Sequence, residues 1–426
     1  MNDILTVGGV DMRALTKALG TPLIVYDEGA LEKRLAEFKE SFVHPCFETQ
    51  IIYASKAFSC TEMLKLVKNA GCGLDVVSGG ELAAAAHAGF PMKEIVFHGN
   101  NKTPGEIRQA ITLGVGTVIV DGEMELKEVM RAARELKTKT SVIVRVNPGI
   151  EADTHKYIIT ANIDSKFGVS IYERETILNM ISNAVESEYL DFQGIHIHIG
   201  SQIFGIDPFI AGIRKIMEFA AEVEKAGYPV KTLDLGGGFA ATYTESDMPL
   251  PISLVCNHIL LECKNQKDAL GVSVEKIMIE PGRSMVAQAG LTLYTVGYSK
   301  KTANKKYVFV DGGMSDNIRP ALYGAKYRCD AANKMNEPRT EKVCVAGKCC
   351  ESGDIIIEET MLPPLNPGDL IAVYTTGAYG YSMASNYNRL PLPAVAFAKD
   401  GKARCVIKRQ PYEDMWRLDD NTQVKL

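Results

Sequence analysis

Residues 51–78 read IIYASKAFSCTEMLKLVKNAGCGLDVVS. A short apolar run, IIYASKA (51–57), leads into CTEMLKLVKNAG (60–71), where apolar residues recur at helical spacing, and then into a second apolar run, GLDVVS (73–78). Strand, helix and strand in this order make a β/α unit. The alternation continues through EIVFHG (94–99), TVIVDG (117–122), SVIVRVNPG (141–149), FQGIHIHIGS (192–201), TLDLGGG (232–238) and KIMIEPGR (276–283). Amphipathic segments such as TPGEIRQAITLG (103–114) and DPFIAGIRKIMEFAAEVEKAG (207–227) separate them. Eight strands with helices between them suit a (β/α)8 barrel. An open, doubly wound sheet is the competing layout, and the count of eight favours the barrel.

After Arg283 the texture changes to short strand-like runs split by turn signals such as NPGD and KDGK. The fold class expected is α/β: a TIM-like (β/α)8 barrel over residues 28–284, plus a mostly β domain (sandwich or barrel). That second domain takes residues 285–426 and also 1–27, through the strand TPLIVYD (21–27). A length of 426 residues agrees with more than one domain.

A net charge of −5 gives no electrostatic footprint for nucleic acid or an anionic membrane. No run of about 18 apolar residues suggests a membrane span. The first residues, MNDILTVGGVD, lack the basic and apolar regions of a secretory leader. The expectation is a cytoplasmic protein with no nucleic-acid or membrane partner. The ten cysteines show no Cys-x-x-Cys and read as free thiols. Cys349 and Cys350 are adjacent, and a bond between them is disfavoured. Neighbouring Cα atoms lie about 3.8 Å apart, against roughly 4.4–6.8 Å in disulfides.

Barrel active sites form at the C-terminal ends of the strands. Here those ends carry Ser55-Lys56, Asp75 and Ser78, His98-Gly99-Asn100, Arg145 and Asn147, His196 with His198, Gly200 and Ser201, Gly236-Gly237-Gly238, and Glu280-Pro281-Gly282-Arg283. Lys56 is either a snorkelling lysine or a Schiff-base lysine. Gly-Gly-Gly and Gly-Arg after the last two strands suit a phosphate, which barrels often hold there. Glu280 suits a pyridinium nitrogen, or an ion pair with Arg283. His196 and His198, with His98 and Asp75, also suit a metal hydrolase. A metal does not account for a strand-end lysine beside a phosphate cradle. A pyridoxal 5'-phosphate site accounts for the lysine, the cradle and the carboxylate.

YASKAF, GLDVVSGGEL, VNPGIEADTHKYIITANIDSKFG, HIHIGSQ, DLGGGF, EPGRSMVA, DGGMSDNIRPALYGA, CCESGD and GAYGYSMASNYN follow in order along the chain. In these blocks the sequence resembles the pyridoxal-phosphate decarboxylases of the alanine-racemase-like fold, and within them the diaminopimelate decarboxylases. The resemblance implies a barrel that carries the cofactor, a β-domain, and a homodimer with shared active sites. It implies Lys56 as the Schiff-base lysine, His198 against the ring face and Glu280 on the ring nitrogen, with Asp75 nearby. Gly237, Gly238, the backbone of Gly282 and Arg283, Ser201 and the Tyr379 hydroxyl would hold the phosphate. Arg283, Arg319, Tyr323, Glu351 and Tyr379 would contact the small-molecule substrate. Cys350, from the other subunit, would be the catalytic acid. The implied reaction is decarboxylation of meso-2,6-diaminopimelate to L-lysine, the last step of lysine biosynthesis. The alternative within the fold is another basic amino acid or carboxynorspermidine as substrate. A non-catalytic, cofactor-holding relative is disfavoured because Lys56 and Cys350 are both present.

Overall fold

The computed structural model describes residues 3–150 and 165–424. The stretch 151–164, inside the block that begins VNPG, lies outside the described residues. The chain divides into two compact units. The larger is Glu32–Ala241 with Asp247–Met285; the smaller is Met1–Leu31, Thr242–Ser246 and Val286–Leu426.

The larger unit is a closed barrel. Its strands, one to eight, are Glu48–Ala54, Gly73–Val76, Ile95–Phe97, Thr117–Val120, Thr140–Asn147, Leu190–His196, Thr232–Asp234 and Lys276–Ile279. Each pairs in parallel with the next, and strand eight pairs with strand one, so no edge is left open. Helices follow strands one to seven: Thr61–Asn69, Gly79–His87, Pro104–Leu113, Glu123–Leu136, Arg174–Glu186, Asp207–Lys225 and Ile252–Leu270. Strands covered on both faces read as continuous apolar runs, such as TVIV and KIMI. Inside the ring, Ile52, Val96, Ile119, Ile143 and Met278 pack together.

The ladder ends earlier than the apolar runs suggest. It stops at Ala54, Val76, Phe97 and Val120 on the first four strands, and at His196, Asp234 and Ile279 on the last three. The expected strands ran several residues further because loops at a barrel mouth also carry apolar and glycine residues. Those extra residues leave the ladder and become the loops of the site.

In the smaller unit the N-terminal strand Leu23–Asp27 is central. It pairs antiparallel with Gly290–Lys301 and parallel with Ala394–Lys399. The sheet continues through Lys306–Val310, Glu341–Ala346 and Ile355–Leu362 on one side and Lys402–Ile407 on the other. Leu370–Tyr374 pairs with both Gly290–Lys301 and Cys329–Ala331. Alternate residues Leu23, Val25, Leu291, Leu293, Leu370, Ala372, Ala394, Ala396 and Ala398 face one core with Met12 and Leu15. Two strands, Ala394–Lys399 and Cys329–Ala331, give no clear signal in sequence. The first is alanine-rich behind two prolines, and the second has three residues.

Strands six and seven approach closely at Gly194. A Cβ there would lie 1.8 Å from the Thr232 carbonyl oxygen. Gly194→Ala forces the backbones apart and should cost about 1–3 kcal/mol, read as a lower urea midpoint. A midpoint equal to that of the unsubstituted chain would show that the ring can absorb the methyl group.

Candidate active site

Two lysines stand at the barrel mouth, in opposite states. Lys102 is buried, and its Nζ donates to Gly99 O (2.9 Å), Ile119 O (2.6 Å) and Glu125 Oε1 (2.6 Å). Three protons meet three acceptors, so this lysine ties loops together. Lys56 sits in the turn Ser55–Ala57 that follows strand one. Its side chain is 48% exposed and its Nζ lies 3.3 Å from Asp75 Oδ2, which is buried. A longer contact and an open approach leave Lys56 the lysine suited to covalent work.

His198 lies just past the end of strand six. Its Nδ1 accepts the Gly237 N–H at 3.1 Å, which leaves the proton of the neutral ring on Nε2. Burial, with the Arg145 and Lys56 cations next, holds His198 well below the ordinary histidine range, so the ring is neutral at pH 7. The Gly236 N–H is likewise taken, by Asp234 Oδ1 at 3.0 Å. The Gly236 and Gly237 amides are therefore turned inward, and the cradle comes from missing side chains. A Cβ at Gly237 would lie 2.5 Å from Glu280 O, at Gly238 2.9 Å from Ile203 Cδ1, and at Gly282 2.9 Å from Ala54 Cβ. Gly238, at φ +109°, also needs a backbone that side chains disfavour. Arg283 donates to Ser201 Oγ through Nη2 (3.0 Å) and Nε (3.3 Å). An ion pair between Glu280 and Arg283 is not what organises the carboxylate.

Glu280 is buried against two histidines instead. Its Oε1 meets His98 Nε2, and its Oε2 lies 3.3 Å from His196 Nε2. The two rings meet edge to face at 4.9 Å. Burial pushes His196 down to about 3, so it is a neutral donor. Asp234 completes the group: one ligand-type atom from each of His98, His196, Asp234 and Glu280 lies within 4.8 Å of the others. The metal-ligand set read from sequence was His98, Asp75, His196 and His198. The fold separates it, sending Asp75 to Lys56 and His198 to the glycine turn. Arg145, buried on strand five, pairs with Asp121 at 3.8 Å and adds positive charge near Glu280, Asp75 and Asp234.

In the smaller unit, Arg319 opens the short helix Arg319–Tyr323. Its guanidinium is buried and Nη1 donates to Tyr327 Oη at 2.6 Å. The rings of Tyr243, Tyr327 and Tyr379 lie 5.1, 5.8 and 6.0 Å from it, within cation–π reach. Tyr379 holds a left-handed backbone, φ +61°. Tyr323 ends the helix, partly exposed. The 347–354 segment is a tight loop rather than an extended strand. Asp354 accepts the Cys349 N–H at Oδ2 and the Met314 N–H at Oδ1, each at 2.7 Å. The Cys350 N–H donates to Asn388 Oδ1 at 2.7 Å. All ten cysteines are free; Cys349 is buried, while Cys350 and Glu351 are exposed.

The site residues named from sequence thus fall into two groups. Lys56, Asp75, His198, Ser201, Gly237, Gly238, Glu280, Gly282 and Arg283 gather at the barrel mouth, and Arg319, Tyr323, Cys350, Glu351 and Tyr379 belong to the smaller unit. Sequence reasoning missed Asp234, Tyr243, Tyr327, Asn388 and Asp354. Asp234 was visible two residues ahead of the glycines, but the tyrosines and Asn388 carried no signal. The barrel group fits pyridoxal phosphate. It offers an approachable lysine amine, a neutral histidine beside it, a buried carboxylate for a ring nitrogen, and glycines where any Cβ would collide.

A family model for the pyridoxal-dependent decarboxylases, pyridoxal binding domain, matches residues 28–287. The diaminopimelate decarboxylase of Bacillus subtilis is 46% identical over 417 residues, 97% of this chain and 95% of that protein. A crystal structure of the Helicobacter pylori diaminopimelate decarboxylase complexed with L-lysine superposes with a TM-score of 0.88 at 35% identity, covering 96% of this chain and 99% of that one. The enzyme from M. jannaschii gives a TM-score of 0.93 at 33% identity over 99% and 97%. The lysine, the buried carboxylate and the glycine turn lie inside the matched domain, the relatives run the length of both units, and the chain belongs to the pyridoxal-dependent decarboxylases and, within them, to the diaminopimelate decarboxylase family.

Proposed function

We propose that this chain decarboxylates meso-2,6-diaminopimelate to L-lysine and CO2, the last step of lysine biosynthesis. The observation that carries this reading is the 46% identity to a diaminopimelate decarboxylase over 97% of the chain, both units included. Pyridoxal phosphate, when bound, supplies a sink for the electron pair that the departing carboxylate leaves behind.

The chain's own groups do the rest. Lys56 would hold the cofactor covalently through Nζ, with Asp75 beside it to orient the amine. Glu280 presents its carboxylate to the ring nitrogen and keeps the proton there. His198, neutral and oriented by the Gly237 N–H, would meet the ring face. Gly237, Gly238, Gly282 and Ser201, with the Arg283 backbone, would receive the phosphate, and the Tyr379 hydroxyl is a further contact the resemblance proposes for it.

The substrate carries an amino-acid group at each end. One end loses CO2; the other is a zwitterion that must be read. Arg319, pinned by tyrosines, suits the far carboxylate, and Arg283, Tyr323 and Tyr379 are the other proposed substrate contacts. Glu351 suits the far ammonium. Cys350 gives its thiol proton to the carbon that lost CO2. We infer further that two copies pair and that Cys350 and Glu351 serve the partner's site. Their exposure in a loop pinned only at its backbone supports this. The proposed location is the cytoplasm; among the described residues no helix is long and apolar enough to cross a membrane.

Three measurements test the reading. Given meso-diaminopimelate, ornithine, arginine and carboxynorspermidine in turn, the enzyme should release L-lysine and CO2 from the first with the highest kcat/KM. Faster turnover of any other compound replaces the substrate assignment. Cys350→Ala should keep the cofactor absorbance and lose about 10²–10⁴-fold in kcat, whereas Lys56→Ala should lose the lysine-bound absorbance band altogether. A near-normal kcat or a retained band removes the respective role. Tyr327→Phe takes away the phenol that accepts from Arg319. It should raise the KM for meso-diaminopimelate about tenfold with little change in kcat, the signature of lost ground-state binding.

A further inference from the structure

Asp234 ends strand seven with its side chain wholly buried. Its two oxygens face different parts of the site. Oδ1 accepts the Gly236 N–H at 3.0 Å, at the head of the glycine turn. Oδ2 finds no hydrogen-bond donor among the described residues. It shares a pocket with Glu280, whose carboxylate is within 4.8 Å in a cluster with His98 and His196. Two carboxyl groups buried together cannot both ionise, so one keeps a proton. The neighbours decide which. His98 and His196 both turn Nε2 to Glu280, and neither contacts Asp234 directly. The other charged or titratable groups around this mouth are Lys56, Asp75, Lys102 with Glu125, Arg145 with Asp121, His198 and Arg283. Lys56 is taken up with Asp75, and His198 with Gly237. Burial and the adjacent Glu280 charge push Asp234 well above the usual carboxylate range. The main chain adds a second link, since the Glu280 N–H donates to Gly236 O at 2.8 Å.

We propose that Asp234 is a positioning residue that acts as a neutral acid, donating its Oδ2 proton to Glu280 while accepting the Gly236 N–H. The carboxylate that meets the ring nitrogen and the turn that meets the phosphate are thereby locked into one unit. Glu280 keeps its charge because three donors, two imidazoles and one carboxylic acid, converge on it. The inference rests on the reading of Glu280 and the glycine turn as the cofactor's two anchors.

Asp234→Asn and Asp234→Ala separate a neutral acid from a carboxylate. Asparagine is neutral at every pH, offers an N–H to Glu280 and keeps the carbonyl for Gly236; alanine offers neither. The apoprotein of each variant is titrated with pyridoxal phosphate, and the lysine-bound absorbance band of each loaded form is followed against pH. Asp234→Asn should bind within about threefold of the unsubstituted enzyme with the same band and pH profile. Asp234→Ala should bind about tenfold or more weakly and show a band whose pH profile shifts as Glu280 loses its orientation. Equal impairment of both variants overturns the proposal, because it shows that the negative charge was needed. So does an alanine variant that melts at lower temperature but binds and absorbs normally, which marks a packing role alone. If Asp234→Ala does not fold, Asp234→Asn alone decides, and a tenfold loss of affinity there sinks the idea. Failure of the unsubstituted apoprotein to bind pyridoxal phosphate would instead overturn the functional reading.

Discussion

Strand eight, Lys276–Ile279, pairs with strand one, Glu48–Ala54, and that pairing shuts the parallel sheet on itself. In a closed parallel ring all strands point one way, so residues that follow their C-terminal ends collect at a single mouth. Lys56 and Glu280, 224 positions apart in the chain, become neighbours in the barrel only through this closure. Gly194 shows how tight the ring is, since strand seven leaves no room there for a methyl group.

Closure also creates an electrostatic problem, and the site is its solution. Asp75, Asp234, Glu280, His98, His196 and Arg145 are all buried at one end of the ring. Isolated charges there would be expensive. The groups therefore settle by pairing: Asp75 with Lys56, Glu280 with His98 and His196, Arg145 with Asp121 and the other carboxylates nearby. A buried carboxylate held by imidazoles, as Glu280 is here, suits a pyridinium nitrogen. The same cluster looks from sequence like a metal site, because imidazoles and carboxylates serve both purposes. Direct contacts between His98, His196 and Glu280, and the diversion of His198 to the glycine turn, distinguish the two.

In the smaller unit the equivalent constraint is placement of a loop. Asp354 binds two backbone N–H groups, one on either side of the gap between the 312–316 and 347–350 stretches. Glycines 313 and 347 are required there, because a Cβ at either would lie 2.4 Å or less from the Asp354 carboxylate. Asn388 pins the Cys350 amide from a third stretch. The backbone of the loop is thus held while the Cys350 and Glu351 side chains stay exposed. Adjacent cysteines end in opposite surroundings, and neither is bonded.

Arg319 and Cys350 were singled out by resemblance alone, but strand number, the order of strands and helices, and the placing of Lys56, His198 and Glu280 at strand ends were legible in the amino-acid sequence. They rest on local periodicity and on polar residues at the ends of apolar runs, both of which survive without knowledge of contacts. Where each strand stopped was not legible, since the loops beyond are as apolar as the strands. The alanine-rich strand Ala394–Lys399 was hidden for a related reason: its place beside Leu23–Asp27 comes from partners hundreds of residues away, not from its own propensity. Only tertiary structure could show that the Gly236 and Gly237 amides face inward, that Tyr243 and Tyr327 frame Arg319, and that Asp234 shares a pocket with Glu280. Those are facts about which groups meet across the chain, and burial of charge, which decides protonation, exists only after they have met.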